Sequence, residues 1–228
     1  DARIRKMADA HDYHGIFTEL HTLCNSDLSA FYFEIRKDRL YCDAAGTVER
    51  RACRTVMKEV FDRLTAWLAP ILCFTAEEAW QQWVKDPAQS VHLRSYDAVP
   101  DAWIDGKIAQ RWEAIRQVRQ VVMSALEKAR NDGAIGASLQ AAPIVHVDAE
   151  TAGIFDGLDA ASLFITSNAR ITADPAPDDA FRLDGVDSVA VAFALADGGK
   201  CARCWRITPE VTAEDGICKR CEDVVSTL

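Results

Sequence analysis

The chain has 228 residues, 49% of them apolar and 27% charged, and a formal net charge of -9. That composition fits a globular protein able to bury a core, and its acidic balance argues against a general nucleic-acid coat protein, which would be basic. No apolar run approaches the roughly 18 residues of a membrane-spanning helix, and the opening DARIRKMADAHDYH has no secretory signal. Because it starts without Met inside a helical pattern, the chain is expected to be a piece of a longer cytoplasmic protein. Charge is uneven: residues 34–63 hold eight Lys/Arg against six Asp/Glu, whereas 174–187 hold five Asp against Arg182 alone.

Residues 1–131 read as helices and predict a helical domain. Over Ala52–Leu68, Val56, Val60, Leu64 and Trp67 share one face, and Arg51, Arg54 and Lys58 fall opposite. Pro70 stops this helix. Thr75-Ala-Glu-Glu78 has the form of a capping box and predicts a new start there. Pro87–Asp101 reads as a loop. The next helix spans about Ile104–Asn131, with Ile108, Trp112, Ile115, Val118, Val122, Leu126 and Ala129 as its stripe. Arg119 lies inside that stripe, so its stem must pack while its head finds water or an anion. Asp132-Gly133 closes the helix.

The texture changes after Gly136. Ala142–Asp148, Phe164-Ile-Thr166 and Val189–Phe193 are short β-branched runs, with a helix predicted around Ala152–Leu163. We expect a small α+β unit of two to four strands over 132–199. Cys24, Cys42, Cys53 and Cys73 are scattered singly and read as small buried hydrophobes in a reducing compartment.

The segment 200–228 reads as a metal-binding domain. Cys201-x2-Cys204 and Cys218-x2-Cys221 are separated by thirteen residues. Each two-residue gap lets one tight turn present two sulfurs to one ion, and two such turns complete a thiolate tetrahedron. With four protein ligands no coordination position stays open, so one structural zinc ion is predicted. Two disulfides or four idle thiols are the alternatives, but paired C-x2-C turns in so short a tail do not fit a redox site. Lys200, Arg203, Arg206, Lys219 and Arg220 crowd the ligands, beside Trp205. Such a set suits single-stranded nucleic acid through phosphates and stacking. Equally, Trp205 can cover the zinc turn while the cations offset thiolate charge.

Three stretches together resemble the bacterial-type isoleucyl-tRNA synthetases. Phe31-Tyr-Phe-Glu-Ile-Arg-Lys-Asp-Arg-Leu-Tyr41 is similar to that family's F-Y-x-x-I-x-K-D-R-x-Y segment. Leu68-Ala-Pro-Ile-Leu-Cys-Phe-Thr-Ala-Glu-Glu-Ala-Trp80 resembles a helix junction in anticodon-binding domains of several class I synthetases. Cys201-Ala-Arg-Cys-Trp205 with Cys218-Lys-Arg-Cys221 resembles the zinc finger shared with formamidopyrimidine-type DNA glycosylases. The run Ala134-Ile-Gly-Ala-Ser-Leu-Gln-Ala141 departs from the family in lacking a preceding Lys and a Glu. The resemblance implies a mainly α, C-terminal portion of the ligase: anticodon-binding bundle, small mixed junction and zinc knuckle. It implies isoleucine tRNA as partner of a monomer, with neither DNA nor membrane. ATP and isoleucine would bind the parent enzyme outside this chain, whose sequence has no HIGH-type or KMSKS-type signature. The chain itself is therefore expected to hold no catalytic residue.

Given the resemblance, Arg36, Lys37 and Arg39 in the family-like stretch and Arg51, Arg54 and Lys58 on the basic helical face become candidate phosphate contacts. Arg203, Trp205, Arg206, Lys219 and Arg220 complete the candidate RNA set. Asp38 can instead pair with a neighbouring Arg, and the basic face can be merely solvated. Phe31, Tyr32 and Tyr41 suit either base stacking or core packing; Trp67, Trp80, Trp83 and Trp112 are assigned to core. Two rivals remain. A DNA glycosylase would need an N-terminal Pro-Glu, which is absent from this sequence. A zinc-stabilised protein-interaction module would bind its partner without salt dependence.

Overall fold

The computed structural model describes residues 1–227, which group into two units. Residues 1–34 and 45–104 form the first, and residues 35–44 with those from 105 onward form the second.

In the first unit, α1 (Ala2–Asp9) and α2 (Tyr13–Thr22) lead into a wide-turned π-helical stretch over Leu23–Phe33. Asp12 caps α2 by accepting from the Gly15 N–H at 2.8 Å. After 45 come α4 (Val48–Leu68) and α5 (Cys73–Val84), numbered after a helix α3 (Glu34–Cys42). Ile4, Ile16, Leu20 and Trp67 form the core, with Leu64, Leu68, Ile71 and Tyr96 packed against it. Val56, predicted on the same stripe, is exposed.

The helix junction differs from the expected one. α5 begins at Cys73, not Thr75, because the chain turns directly after α4: the Leu72 N–H bonds Leu68 O at 2.7 Å and Leu72 O accepts from Ala76. The predicted capping box is thereby already inside the helix. Cys73 is exposed and Cys24 half-buried, whereas Cys42 and Cys53 are buried as expected. The loop after α5 is pinned: Glu77 accepts from Val91 N–H at 2.7 Å and Ser90 Oγ at 2.9 Å. Arg94 stacks on Trp80 at 4.2 Å and donates to Asp62 O at 2.8 Å.

In the second unit, Asp105 caps α6 (Gly106–Asn131) by accepting from the Lys107 and Ile108 N–H groups. Its buried face is Ile115, Val118, Val121, Val122, Ala125, Leu126 and Ala129, while Ile108, placed in the stripe, is exposed. α6 packs on a four-stranded sheet of order β2-β1-β4-β3, built from β1 (Ile144–His146), β2 (Arg170–Thr172), β3 (Phe181–Leu183) and β4 (Val186–Ala192). β1 and β2 are parallel, joined by α7 (Ala149–Gly153) and α8 (Ala160–Phe164); the other pairs are antiparallel. Phe164-Ile-Thr is therefore not a strand. Phe164 ends α8 with its ring fully buried, and Ile165 turns the chain at φ 57°. Arg119 resolves its position by donating to Leu163 O at 2.8 Å, so its head finds a carbonyl.

Candidate metal centre and nucleic-acid interface

The four-cysteine segment opens on a two-residue hairpin, β5 (Gly199–Lys200) against β6 (Ile207–Thr208), and closes with α9 (Lys219–Val225). The hairpin brings its backbones so close that a side chain at Gly198 would strike the Thr208 backbone; Gly198 also sits at φ 108°. Gly198→Ala should cost more than about 1 kcal/mol, where Gly46→Ala costs far less. Thermal melts of the zinc-loaded chain check this, and an unchanged midpoint for Gly198→Ala would refute it.

Cys201, Cys204, Cys218 and Cys221 are all buried, and their sulfurs lie within 4.8 Å of one another. The Cys204 and Cys218 sulfurs are 3.8 Å apart, matching the edge of about 3.8 Å for a tetrahedron with zinc–sulfur arms of about 2.3 Å. Backbone N–H groups of Cys204 and Cys218 point at the Cys201 sulfur from 3.5 and 3.3 Å. Burial alone would raise that thiol, but these N–H groups and that of Arg203 outweigh it and bring it to about 6. All eight cysteines are free of disulfides. The donor set fits one structural zinc ion. Cys42 packs beside the cluster, but burial, then the Asp38 charge, pushes its thiol up to about 12. Its sulfur is not among the four that converge.

The cations around this centre mostly face inward. Arg220 makes a bidentate pair with Asp38, at 2.6 and 2.7 Å, and reaches Asp43 at 3.3 Å. Arg203 donates to Cys42 O at 2.6 Å, to Tyr41 O at 3.2 Å and to Cys221 Sγ at 3.5 Å. Arg206 donates to Ser162 Oγ at 2.7 Å and lies 3.5 Å from Asp38 and 3.7 Å from Asp159. Arg39 bridges Asp43 and Asp159 at 3.4 and 3.1 Å. Burial alone would raise the Asp38 carboxyl, yet the Arg220 hydrogen bond and the Arg206, Arg220 and Arg39 charges hold it below the usual carboxylate range. The family-like stretch Phe31–Tyr41 thus supplies, through Asp38 and the Tyr41 carbonyl, contacts that hold the zinc knuckle, while Arg39 ties Asp43 to Asp159. Sequence reasoning missed Asp159 and Ser162 as partners, and no local signal announces them.

The remaining candidates divide cleanly. Lys219 pairs with Asp223 and Glu222 on its own helix; Arg36 and Lys37 are also engaged within the chain. Lys58 pairs with Asp62. Phe31 and Tyr32 are half-buried, and Tyr41 is exposed. Trp205 does not cover the zinc turn: it is 61% exposed at φ 67°, with the Lys200 ammonium 5.5 Å from its ring. Arg51 and Arg54 are exposed, and among the described residues no side-chain partner holds either guanidinium. Trp67 is buried as assigned and Trp80 and Trp112 are half-buried, but Trp83, assigned to core, is 56% exposed.

This helical part matches the family described as the anticodon-binding domain of tRNA ligase over residues 2–146. The chain belongs to that family. A second match, over residues 198–224, is to the zinc finger found in FPG and IleRS, and it encloses all four cysteines. The isoleucine–tRNA ligase of Ruegeria pomeroyi is 46% identical over 225 residues, 97% of this chain and 23% of the relative. Those of Agrobacterium fabrum and Gluconobacter oxydans are 46% and 45% identical over 94% and 98% of this chain. The chain spans less than a quarter of the length of these relatives. The Asp38 clamp ties the residues matched to the zinc finger to the segment 35–44, inside the region matched to the anticodon-binding domain.

Proposed function

We propose that this chain is the tRNA-gripping C-terminal portion of an isoleucine–tRNA ligase. It holds the anticodon stem and loop of isoleucine tRNA while a remote catalytic domain activates isoleucine with ATP and aminoacylates the acceptor end. The observation that carries this reading is the order of the two matches, anticodon-binding domain then zinc finger, on a chain aligned along nearly its whole length with isoleucine–tRNA ligases. Functionally we divide it into a helical grip over 1–131, a junction over 132–199 and a zinc knuckle over 200–228. We further propose that it works as a cytoplasmic monomer. No described helix is long and apolar enough to cross a membrane.

The contribution to catalysis is positional. Binding energy realised on the anticodon arm fixes where the acceptor end lies and lowers the entropy cost of the distant reaction. Arg51 and Arg54, being unpaired, are the cations best placed to meet phosphates. Trp205, exposed beside Lys200, suits stacking on a splayed base. In this reading zinc does no chemistry on the tRNA; it shapes the turn that presents Trp205.

The test is the affinity of the chain for an isoleucine tRNA transcript and for one with a swapped anticodon, measured across roughly 50–200 mM salt. The native transcript should bind more tightly, and affinity should fall with salt. Equal, negligible binding to both would overturn the claim that this portion alone grips the anticodon arm. Salt-insensitive binding to neither RNA but to a protein would favour an interaction module.

A further inference from the structure

The first unit carries a groove of about 580 Å³ along α4 and α5, a size within the ~300–1,000 Å³ common for small-molecule sites. Arg51, Arg54, Met57, Lys58, Phe61 and Trp83 line it. Arg51, Arg54 and Lys58 recur at helical spacing on one face of α4. Trp83 comes from α5, and Phe61 tilts against its ring at 6.2 Å between centroids. The Lys58 ammonium stands 5.7 Å from the indole centre, so the π-face is already within reach of a cation or a flat ring. Neither Arg51 nor Arg54 has a side-chain partner among the described residues, in contrast to the clamped Arg203, Arg206 and Arg220.

We propose that this groove binds one unpaired RNA nucleotide, its base stacked on Trp83 and its flanking phosphates held by Arg51 and Arg54. An exposed tryptophan beside two free guanidiniums matches a ligand that is planar and anionic at once. A nucleotide supplies both properties on adjoining atoms, whereas an acidic side chain supplies only the charge. The base must be unstacked to reach the indole, which restricts the occupant to an unpaired nucleotide, here RNA because the groove lies in the region matched to an anticodon-binding domain. Lys58 is neutralised by Asp62 and can yield the ring face without stranding a charge. That the natural strand is a tRNA anticodon loop rests on the function proposed above; the site itself does not.

The test uses the whole chain and a labelled, unstructured RNA heptamer, followed by fluorescence anisotropy, with the isoleucine tRNA transcript in a parallel arm. Trp83→Ala should weaken heptamer binding about tenfold, and Trp83→Phe should restore most of it. Arg54→Gln should weaken binding and flatten its salt dependence, while Arg130→Gln in the other unit changes neither. Circular dichroism should show every variant folded, since these side chains are exposed. Heptamer binding by Trp83→Ala within about twofold of the parent, or no heptamer binding by the parent, overturns the groove. Heptamer binding kept in Trp83→Ala, in a chain that prefers the native anticodon, overturns the groove and leaves the anticodon reading standing. Heptamer binding lost in Trp83→Ala, in a chain indifferent to the anticodon, upholds the groove and removes that reading.

Discussion

Removing zinc, by chelation or by Cys218→Ala, is expected to unfold residues 198–225 and leave the helices of residues 1–104 intact. The four-cysteine segment has almost no core of its own. Beside the cysteines its buried side chains are Val211 and Val224, and its hairpin is two residues long on each side. Two valines contribute about 2 kcal/mol each at best, far below the entropy of ordering some 25 residues at about 1–2 kcal/mol apiece. Metal binding of about 10–16 kcal/mol supplies what burial cannot. The parent should carry one zinc per chain by metal analysis, and Cys218→Ala should carry none. Amide exchange in the variant should accelerate across β5, β6 and α9 and stay slow in α4 and α5. Full zinc retention by Cys218→Ala would overturn the proposed shell.

What was legible beforehand follows from where the signals lie. The metal ligands were readable because two residues between cysteines is a constraint of one turn, written locally. The long helix α6 was readable because its apolar stripe and its Asp132-Gly133 stop are both local, and only its first stripe residue, Ile108, proved exposed. Phe164-Ile-Thr misled because β-branched composition suggests a strand, whereas burial of the Phe164 ring and the Asp159 cap hold a helical turn. The cations misled for a different reason. Arg220 and Asp38 stand 182 residues apart in sequence, and no composition or spacing distinguishes an arginine aimed at a phosphate from one aimed at a distant aspartate. Trp83 follows Trp80 by three residues, as core tryptophans on one stripe would; only the placement of Phe61 and α4 shows its ring in the groove.

Arg220→Ala is expected to lower stability and tRNA affinity while leaving the salt dependence of binding unchanged, and in this it should differ from Arg54→Ala. The Arg220–Asp38 pair is bidentate and largely shielded, with side-chain exposures of 30% and 23%. Charge-assisted hydrogen bonds of this kind contribute about 1.5–3 kcal/mol. Truncating Arg220 also leaves Asp38 without its principal partner, although Arg206 at 3.5 Å offsets part of that loss. A double-mutant cycle with Asp38→Ala should therefore return a coupling of about 2 kcal/mol. Zinc content should stay at one per chain, because all four cysteines remain, even though Cys204 loses its hydrogen bond from Arg220. Loosening the clamp reorients the whole knuckle, so affinity falls without removing a phosphate contact. Arg54, with no partner to lose, should show the reverse: an unchanged melting midpoint and a salt slope shallower by about 0.7–0.9. If Arg220→Ala instead flattened the salt slope and left stability alone, its guanidinium would be an RNA contact, and the clamp would be incidental to how the knuckle is held.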